Sequence, residues 1–249
     1  KLIEMPYTYN VFRSSIYVLS KDVKCDMIDE RKRFMDHQVA GYFATPVVAI
    51  KLTNKENERL KDLFYKKIRN KDYKDIGRNP CNTLTHYYNV FNNFREIRDI
   101  FKKLEKMANF AYKDVMNHTS DLFIKEHWFN YAKRNTSQHF HAHANSVLSG
   151  TIFIDVDEDY LIFKTPFDID RTPPHMNTIV DEPSYEENKL GYTFHAPEVS
   201  AGVSNGTVLF WPSYLRHGYQ DTKKEGRLTL SFNCFPKAFN HDYSIGTYT

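Results

Sequence analysis

The chain has 249 residues, room for one large domain with a full core, and its 41% hydrophobic and 26% charged residues describe a globular rather than a disordered protein. With 34 Lys plus Arg against 31 Asp plus Glu, the net charge of +3 is too small and too scattered to frame a nucleic-acid surface. Cys25, Cys81 and Cys234 are far apart and form no CxxC, no apolar run reaches the ~20 residues of a membrane span, and residues 1–9 lack a signal peptide's apolar stretch. The expectation is a cytoplasmic protein with reduced thiols.

Residues 11–19 (VFRSSIYVL) and 42–52 (YFATPVVAIKL) are rich in β-branched and aromatic side chains and read as strands. Thr53-Asn-Lys-Glu56 then has the capping-box pattern that satisfies the first amides of a helix. Beyond it Leu60, Leu63, Phe64 and Ile68 share one helical face. Residues 70–80 are turn-rich. From Ile97 to Val115 apolar residues recur every three or four positions, with charges between them, which predicts an amphipathic helix lying on a sheet.

From about Asp121 the pattern changes to strands, at 123–131, 147–156, 160–164, 192–195, 207–211 and 227–234. The stretch 165–190, with four prolines and many acids, is too long for a plain connection and reads as a lid over a site. Helices and strands are segregated, which argues against a doubly wound sheet and predicts a sandwich or barrel with helices on one outer face.

The densest chemical signal is Gln138-His-Phe-His-Ala-His-Ala-Asn-Ser146. On an extended strand His139, His141 and His143 would all point to one face, and two of them could reach one metal ion. An isolated HxH is as readily a polar strand, so context decides. His217 follows an apolar strand in Phe210-Trp-Pro-Ser-Tyr-Leu-Arg-His217, where it could supply a further ligand from a rigid element. In Arg227-Leu-Thr-Leu-Ser-Phe-Asn233, alternation puts Arg227, Thr229, Ser231 and Asn233 on one face, a carboxylate receptor if that face lines a site. There is no Gly-rich phosphate loop, GxSxG or HExxH.

Taken in order, Trp128-Phe-Asn130, Gln138 through Ser149-Gly150, Phe210 through His217 and Arg227 through Asn233 resemble the iron- and 2-oxoglutarate-dependent dioxygenases. The nearest pattern is that of a subgroup common in phages and marine bacteria. The resemblance runs over about 42–236 and leaves residues 1–41 as an N-terminal extension. It implies an α+β, mainly β fold: a double-stranded β-helix (jelly-roll) domain over 42–249, with a helical segment at 53–118 on one face.

It also implies Fe(II), 2-oxoglutarate and O2 as cofactor and cosubstrates. His141 and His217 would be metal ligands. Arg227, assisted by Thr229, would hold the far carboxylate of 2-oxoglutarate, with Ser231 on the same face and Asn130 on a neighbouring strand. The superfamily's usual HxD or HxE carboxylate is here His143, so either a three-His site forms or water takes that place, with His139 nearby as a supporting residue. The implied reaction is hydroxylation of an amino-acid, peptidyl or other small substrate with release of succinate and CO2. Two other readings keep parts of the pattern: a cupin-like three-His metal protein that does not need Arg227, and a binding module that has lost catalysis.

Overall fold

The alternation of residues along each strand sets two faces, and the chain uses both. The computed structural model describes residues 45–69, 73–157, 159–164 and 198–238. The strands expected at 11–19 and 192–195, the lid at 165–190 and the extension 1–41 lie outside these residues.

Among the described residues one seven-stranded antiparallel sheet runs β1 (Val48–Lys51), β9 (Thr207–Pro212), β6 (Leu148–Asp155), β11 (Arg227–Pro236), β4 (Leu122–Ala132), β3 (Leu84–Tyr88) and β2 (Ile76–Arg78). A four-stranded antiparallel sheet runs β5 (Gln138–His141), β10 (His217–Tyr219), β7 (Asp159–Lys164) and β8 (Glu198–Val203). Helices α1 (Asn54–Leu63), α2 (Val90–Asn93) and α3 (Arg98–Asn109), with π turns at Phe64–Ile68 and Phe110–Val115 and a 3-10 turn at Arg95–Ile97, complete the described elements.

The large sheet is covered on both sides. On one face Ile152, Val208, Phe210, Leu228, Leu230 and Phe232 pack with Leu60, Phe64, Ile100 and Leu104 from the helices in one apolar core. On the other, Phe153, Leu209 and Trp211 meet Leu161, Phe163 and Val203 of the small sheet. Neighbouring residues of β9 thus serve different cores, as period-two geometry requires. This is the β-sheet double layer with helices on one face that the sequence predicts.

Thr53 caps α1 as expected: its hydroxyl accepts from the Glu56 amide, and the Glu56 carboxylate accepts from the Thr53 amide. Leu60, Leu63, Phe64 and Ile68 are all buried. The second predicted helix divides, with α-helix at Arg98–Asn109 and a wider π turn at Phe110–Val115. Two expectations are corrected. Part of the turn-rich stretch forms β2, paired with β3 at the sheet edge, and its three residues are too few to declare a period of two. The histidine run is not one strand either, because β5 ends at His141.

A change of phase within β4 decides which of its side chains face away from the helices. Its register with β11 shifts between Asn233 and Cys234, so that Glu126 faces Asn233 while Ile124 faces Cys234. Leu122 and Ile124 therefore join the helix-side core, whereas Glu126, Trp128 and Asn130 alternate away from it. His127 stays on the helix side, buried against Phe91 and Phe101, and burial pushes its pKa from the ordinary 6.5 to about 4. The unfolded chain takes up this proton near pH 6.5 while the folded chain resists until about pH 4. The His127 contribution to stability should therefore be complete above pH 6.5 and fall on acidification between those values, by up to about 3 kcal/mol. Urea unfolding from pH 7 to 4 should show a shallower loss in His127→Phe than in the wild type.

Candidate metal centre

His141 ends β5 and His217 begins β10, and the two are direct partners in the antiparallel ladder. That pairing brings together residues 76 positions apart in the chain, their rings 4.4 Å apart. His143 lies beyond the end of β5. Its amide donates to the Ser213 carbonyl, in the loop between β9 and β10, and this returns its ring to within 5.2 Å of His217. Among the described residues, these three histidines are the group of His, Cys, Asp or Glu donors gathered closely enough to hold one ion, with ligand atoms within 4.8 Å of one another. His139 is exposed and outside the group.

Hydrogen bonds orient two of the three rings. Nδ1 of His141 lies 2.9 Å from the His139 carbonyl, and Nδ1 of His217 lies 3.0 Å from the Leu215 carbonyl. A carbonyl only accepts, so each Nδ1 carries the hydrogen and each neutral ring has an unprotonated Nε2 for a metal. Burial and the neighbouring His141 imidazole push His217 down to about 3, so it is neutral at physiological pH.

His143 is held differently. Asn233 donates one amide hydrogen to the Glu126 carboxylate at 2.9 Å, which fixes which side of its amide is nitrogen. The same nitrogen lies 3.2 Å from Nδ1 of His143, so it is the donor and Nδ1 accepts. Burial, then the charge of His141, lowers the His143 pKa to about 4. Among the described residues no carboxylate joins the group. Glu126 stands behind it, one amide away from His143.

The cleft beside these histidines encloses about 410 Å3, including its open mouth, between β4, β6, β10 and β11. Arg227, Thr229 and Ser231 line it from β11, and Asn130 lines it from β4. Leu228, Leu230 and Phe232 face the helix-side core, as the alternation requires.

The polar wall is ordered from one end. Nδ1 of His86 is 2.7 Å from Asn130 Oδ1, and the Asn130 amide donates to the hydroxyls of Thr229 at 3.2 Å and Ser231 at 2.9 Å. Ser231 and Thr151 share a further hydrogen bond at 2.9 Å. Thr229 thus accepts from within the wall and has its own hydrogen left for a ligand.

Arg227 is buried, with its guanidinium carbon 4.1 Å from the centre of the Tyr219 ring. The guanidinium lies over that ring, not in hydrogen-bond geometry with the Tyr219 hydroxyl. Burial raises the pKa of that hydroxyl, against the pull of the Arg227 cation.

Among the described residues, three buried side-chain atoms lack a hydrogen-bond partner: Asn57 Oδ1, Trp211 Nε1 and the Tyr219 hydroxyl. Trp211 and Tyr219 both line this cleft. Unpaired buried polar groups cost free energy. Finding two of them around one cavity, beside a buried cation and two rings set for metal binding, fits a polar, anionic guest and an ion.

Reasoning from the sequence missed Glu126, His86, Tyr219 and Asp159. Glu126 and Tyr219 were legible only through pairing partners, since Glu126 stands opposite Asn233 and Tyr219 follows His217 by two.

Fold and cleft together define a double-stranded β-helix with a three-histidine cluster fit for a metal ion. Residues 126–233 match the family model described as "Putative 2OG-Fe(II) oxygenase", and over that stretch the chain is similar to these Fe(II)- and 2-oxoglutarate-dependent enzymes.

Among solved structures it is similar to the non-haem α-ketoglutarate-dependent epimerase SnoN from nogalamycin biosynthesis (TM-score 0.56, 13% identity, covering 77% of this chain and 76% of that one). It is also similar to HygX from Streptomyces hygroscopicus, solved with nickel and 2-oxoglutarate bound (TM-score 0.52, 13% identity, 78% and 84%). A third is a 2OG-Fe(II) oxygenase family oxidoreductase from Burkholderia pseudomallei (TM-score 0.50, 11% identity, 76% and 84%). At these identities the likeness shows the fold. A search of curated proteins returned no match. The histidine cluster fits Fe(II). No helix among the described residues is long and apolar enough to cross a membrane.

Gly218 sits between the site residues His217 and Tyr219, and a Cβ there would come 2.6 Å from the Gln138 carbonyl oxygen. Gly218→Ala should push β10 from β5 and spread His217 from His141. The expected result is Fe(II) affinity roughly tenfold weaker by anaerobic titration, with unchanged far-ultraviolet circular dichroism.

Proposed function

We propose that this chain oxidises, and most simply hydroxylates, a small-molecule or peptidyl substrate, using an iron site on His141, His143 and His217 and a 2-oxoglutarate site on Arg227. The observation that supports it best is one cleft that joins the two preset Nε2 atoms to a buried guanidinium and an available Thr229 hydroxyl. When bound, Fe(II) with 2-oxoglutarate supplies the oxidising chemistry: O2 is consumed, 2-oxoglutarate becomes succinate and CO2, and an oxygen atom enters a C–H bond of the substrate.

The residues bind and orient. His141 and His217 present neutral Nε2 donors held by backbone carbonyls, so little ring freedom is lost on binding the ion. His143 is the exchangeable third position, because its Nδ1 accepts from Asn233, so that the neutral ring carries its hydrogen on Nε2 and must give up that contact and change tautomer to bind the ion. Arg227 receives the distal carboxylate in a charge-assisted fork, and Thr229 adds one hydroxyl hydrogen. Asn130 and Ser231 keep that hydroxyl aimed rather than touching the cosubstrate first. Leu161 and Trp211 line the cleft with apolar surface and help exclude water where the oxidation takes place.

Anaerobic addition of 2-oxoglutarate to the Fe(II)-loaded protein should produce a visible charge-transfer band. Arg227→Ala should raise the 2-oxoglutarate concentration needed for that band by roughly 100-fold, the scale of losing a buried charge-assisted pair. A protein that binds iron but gives no band at any concentration would defeat the 2-oxoglutarate reading.

The histidines should separate in a metal titration. His141→Ala and His217→Ala should each lose Fe(II) affinity by roughly 100-fold, and His143→Ala by roughly tenfold or less. Equal losses in all three would make His143 a full ligand.

A further inference from the structure

We propose that Asp159 is a positioning residue for cosubstrate recognition: it holds Arg227 from behind and so turns the terminal nitrogens of the guanidinium toward the cleft. This rests on reading the cleft as a 2-oxoglutarate site.

Asp159 begins β7, in the small sheet, and Arg227 begins β11, in the large one. The Asp159 carboxylate accepts from Nε of Arg227 at 2.6 Å. Its other oxygen accepts from the Tyr160 amide at 2.8 Å, so both oxygens of the carboxylate are oriented. The guanidinium is packed between the rings of Tyr219 and Phe153, with its carbon 4.1 and 5.5 Å from their centres.

Where the two residues stand decides what the pair does. Arg227 lines both the histidine cleft and a second cavity behind it, bounded by Val156, Tyr160, Thr222 and Lys224. Asp159 lines only the second cavity. The guanidinium is therefore the partition between the two spaces, and Asp159 takes its Nε without occupying ligand space. What remains for a carboxylate in the cleft is the end-on fork of the two terminal nitrogens.

The neighbouring acids are already engaged. Lys224 pairs with Asp155 at 2.7 Å and with Asp157 at 3.3 Å, and Asp155 also accepts from Lys61 and Tyr65. Asp159 is the acid of this cluster that Arg227 meets. A buried guanidinium without a counter-charge is costly, and here the counter-charge stays in place whether the cleft is empty or filled. A ligand carboxylate need not displace it.

The test compares two keto acids that share the metal-chelating end and the chain length. 2-Oxoglutarate carries a distal carboxylate, and 2-oxovalerate has a methyl group there. Dissociation constants are measured anaerobically on the Fe(II)-loaded protein. Asp159→Ala should weaken 2-oxoglutarate at least tenfold and leave 2-oxovalerate unchanged. Asp159→Asn should stay within threefold of the wild type for both, because its amide oxygen still accepts from Nε.

An equal loss for both keto acids would mean a general structural role and overturn the proposal. Unchanged or tighter 2-oxoglutarate binding in Asp159→Ala would overturn it as well, the second outcome marking Asp159 as a competitor for the guanidinium. If Asp159→Ala does not fold, Asp159→Ser, too short to reach Nε, is read by the same criteria. A wild type that fails to prefer 2-oxoglutarate over 2-oxovalerate would instead defeat the reading of the cleft, and the Asp159 proposal with it.

Discussion

Strand β11 lies between β6 and β4 in the large sheet, and its neighbouring side chains answer to opposite environments. Leu228, Leu230, Phe232 and Cys234 are fully buried in the core beneath the helices. Arg227, Thr229, Ser231 and Asn233, taken in alternation with them, make the polar wall of the cleft. A slip of one residue would bury a guanidinium under α1 and α3 and line the cleft with leucine. The apolar half therefore fixes the register of the polar half, and the large helix-side core holds the site in place although no residue of that core need touch a ligand.

The same logic explains how much could be read from the sequence. The alternation of Arg227 to Cys234 was legible because both halves are unambiguous, four polar positions interleaved with four apolar ones. Helices α1 and α3 were legible through Thr53-Asn-Lys-Glu56 and the apolar repeats beyond it, whereas the four-residue α2 was not. The edge strand β2 was not, since Ile76–Arg78 is shorter than any period that could announce it. The histidine run misled in a specific way. HxHxH looks like one strand with three imidazoles on a face, yet β5 stops at His141, and His143 owes its position to a backbone hydrogen bond with Ser213. Such a bond depends on a loop far away in sequence, and no local pattern encodes it.

Residues legible only in three dimensions share a feature: each acts on another side chain. His86 orients Asn130, and Asn130 orients Thr229 and Ser231. Glu126 fixes Asn233, and Asn233 meets His143. Each of these chains crosses from one strand to the next, so its members are scattered in sequence although they are adjacent in the sheet. Their spacing is set by strand pairing, not by any motif. In a cleft of low polarizability such chains matter, because a half-satisfied polar group costs more there than in water.

Cys234 shows a further consequence of the two-faced strand. It is the residue next to Asn233, and it is fully buried on the opposite face, where desolvation pushes its thiol far above the ordinary range. Thiols are oxidised through the thiolate, and only where the oxidant can reach them. On the function proposed above, iron and O2 would meet on one side of β11, and the sulfur atom one position along the chain is kept in a form and place where stray oxidant would find no reactive group. The strand that lines the cleft thus also keeps its own thiol out of it.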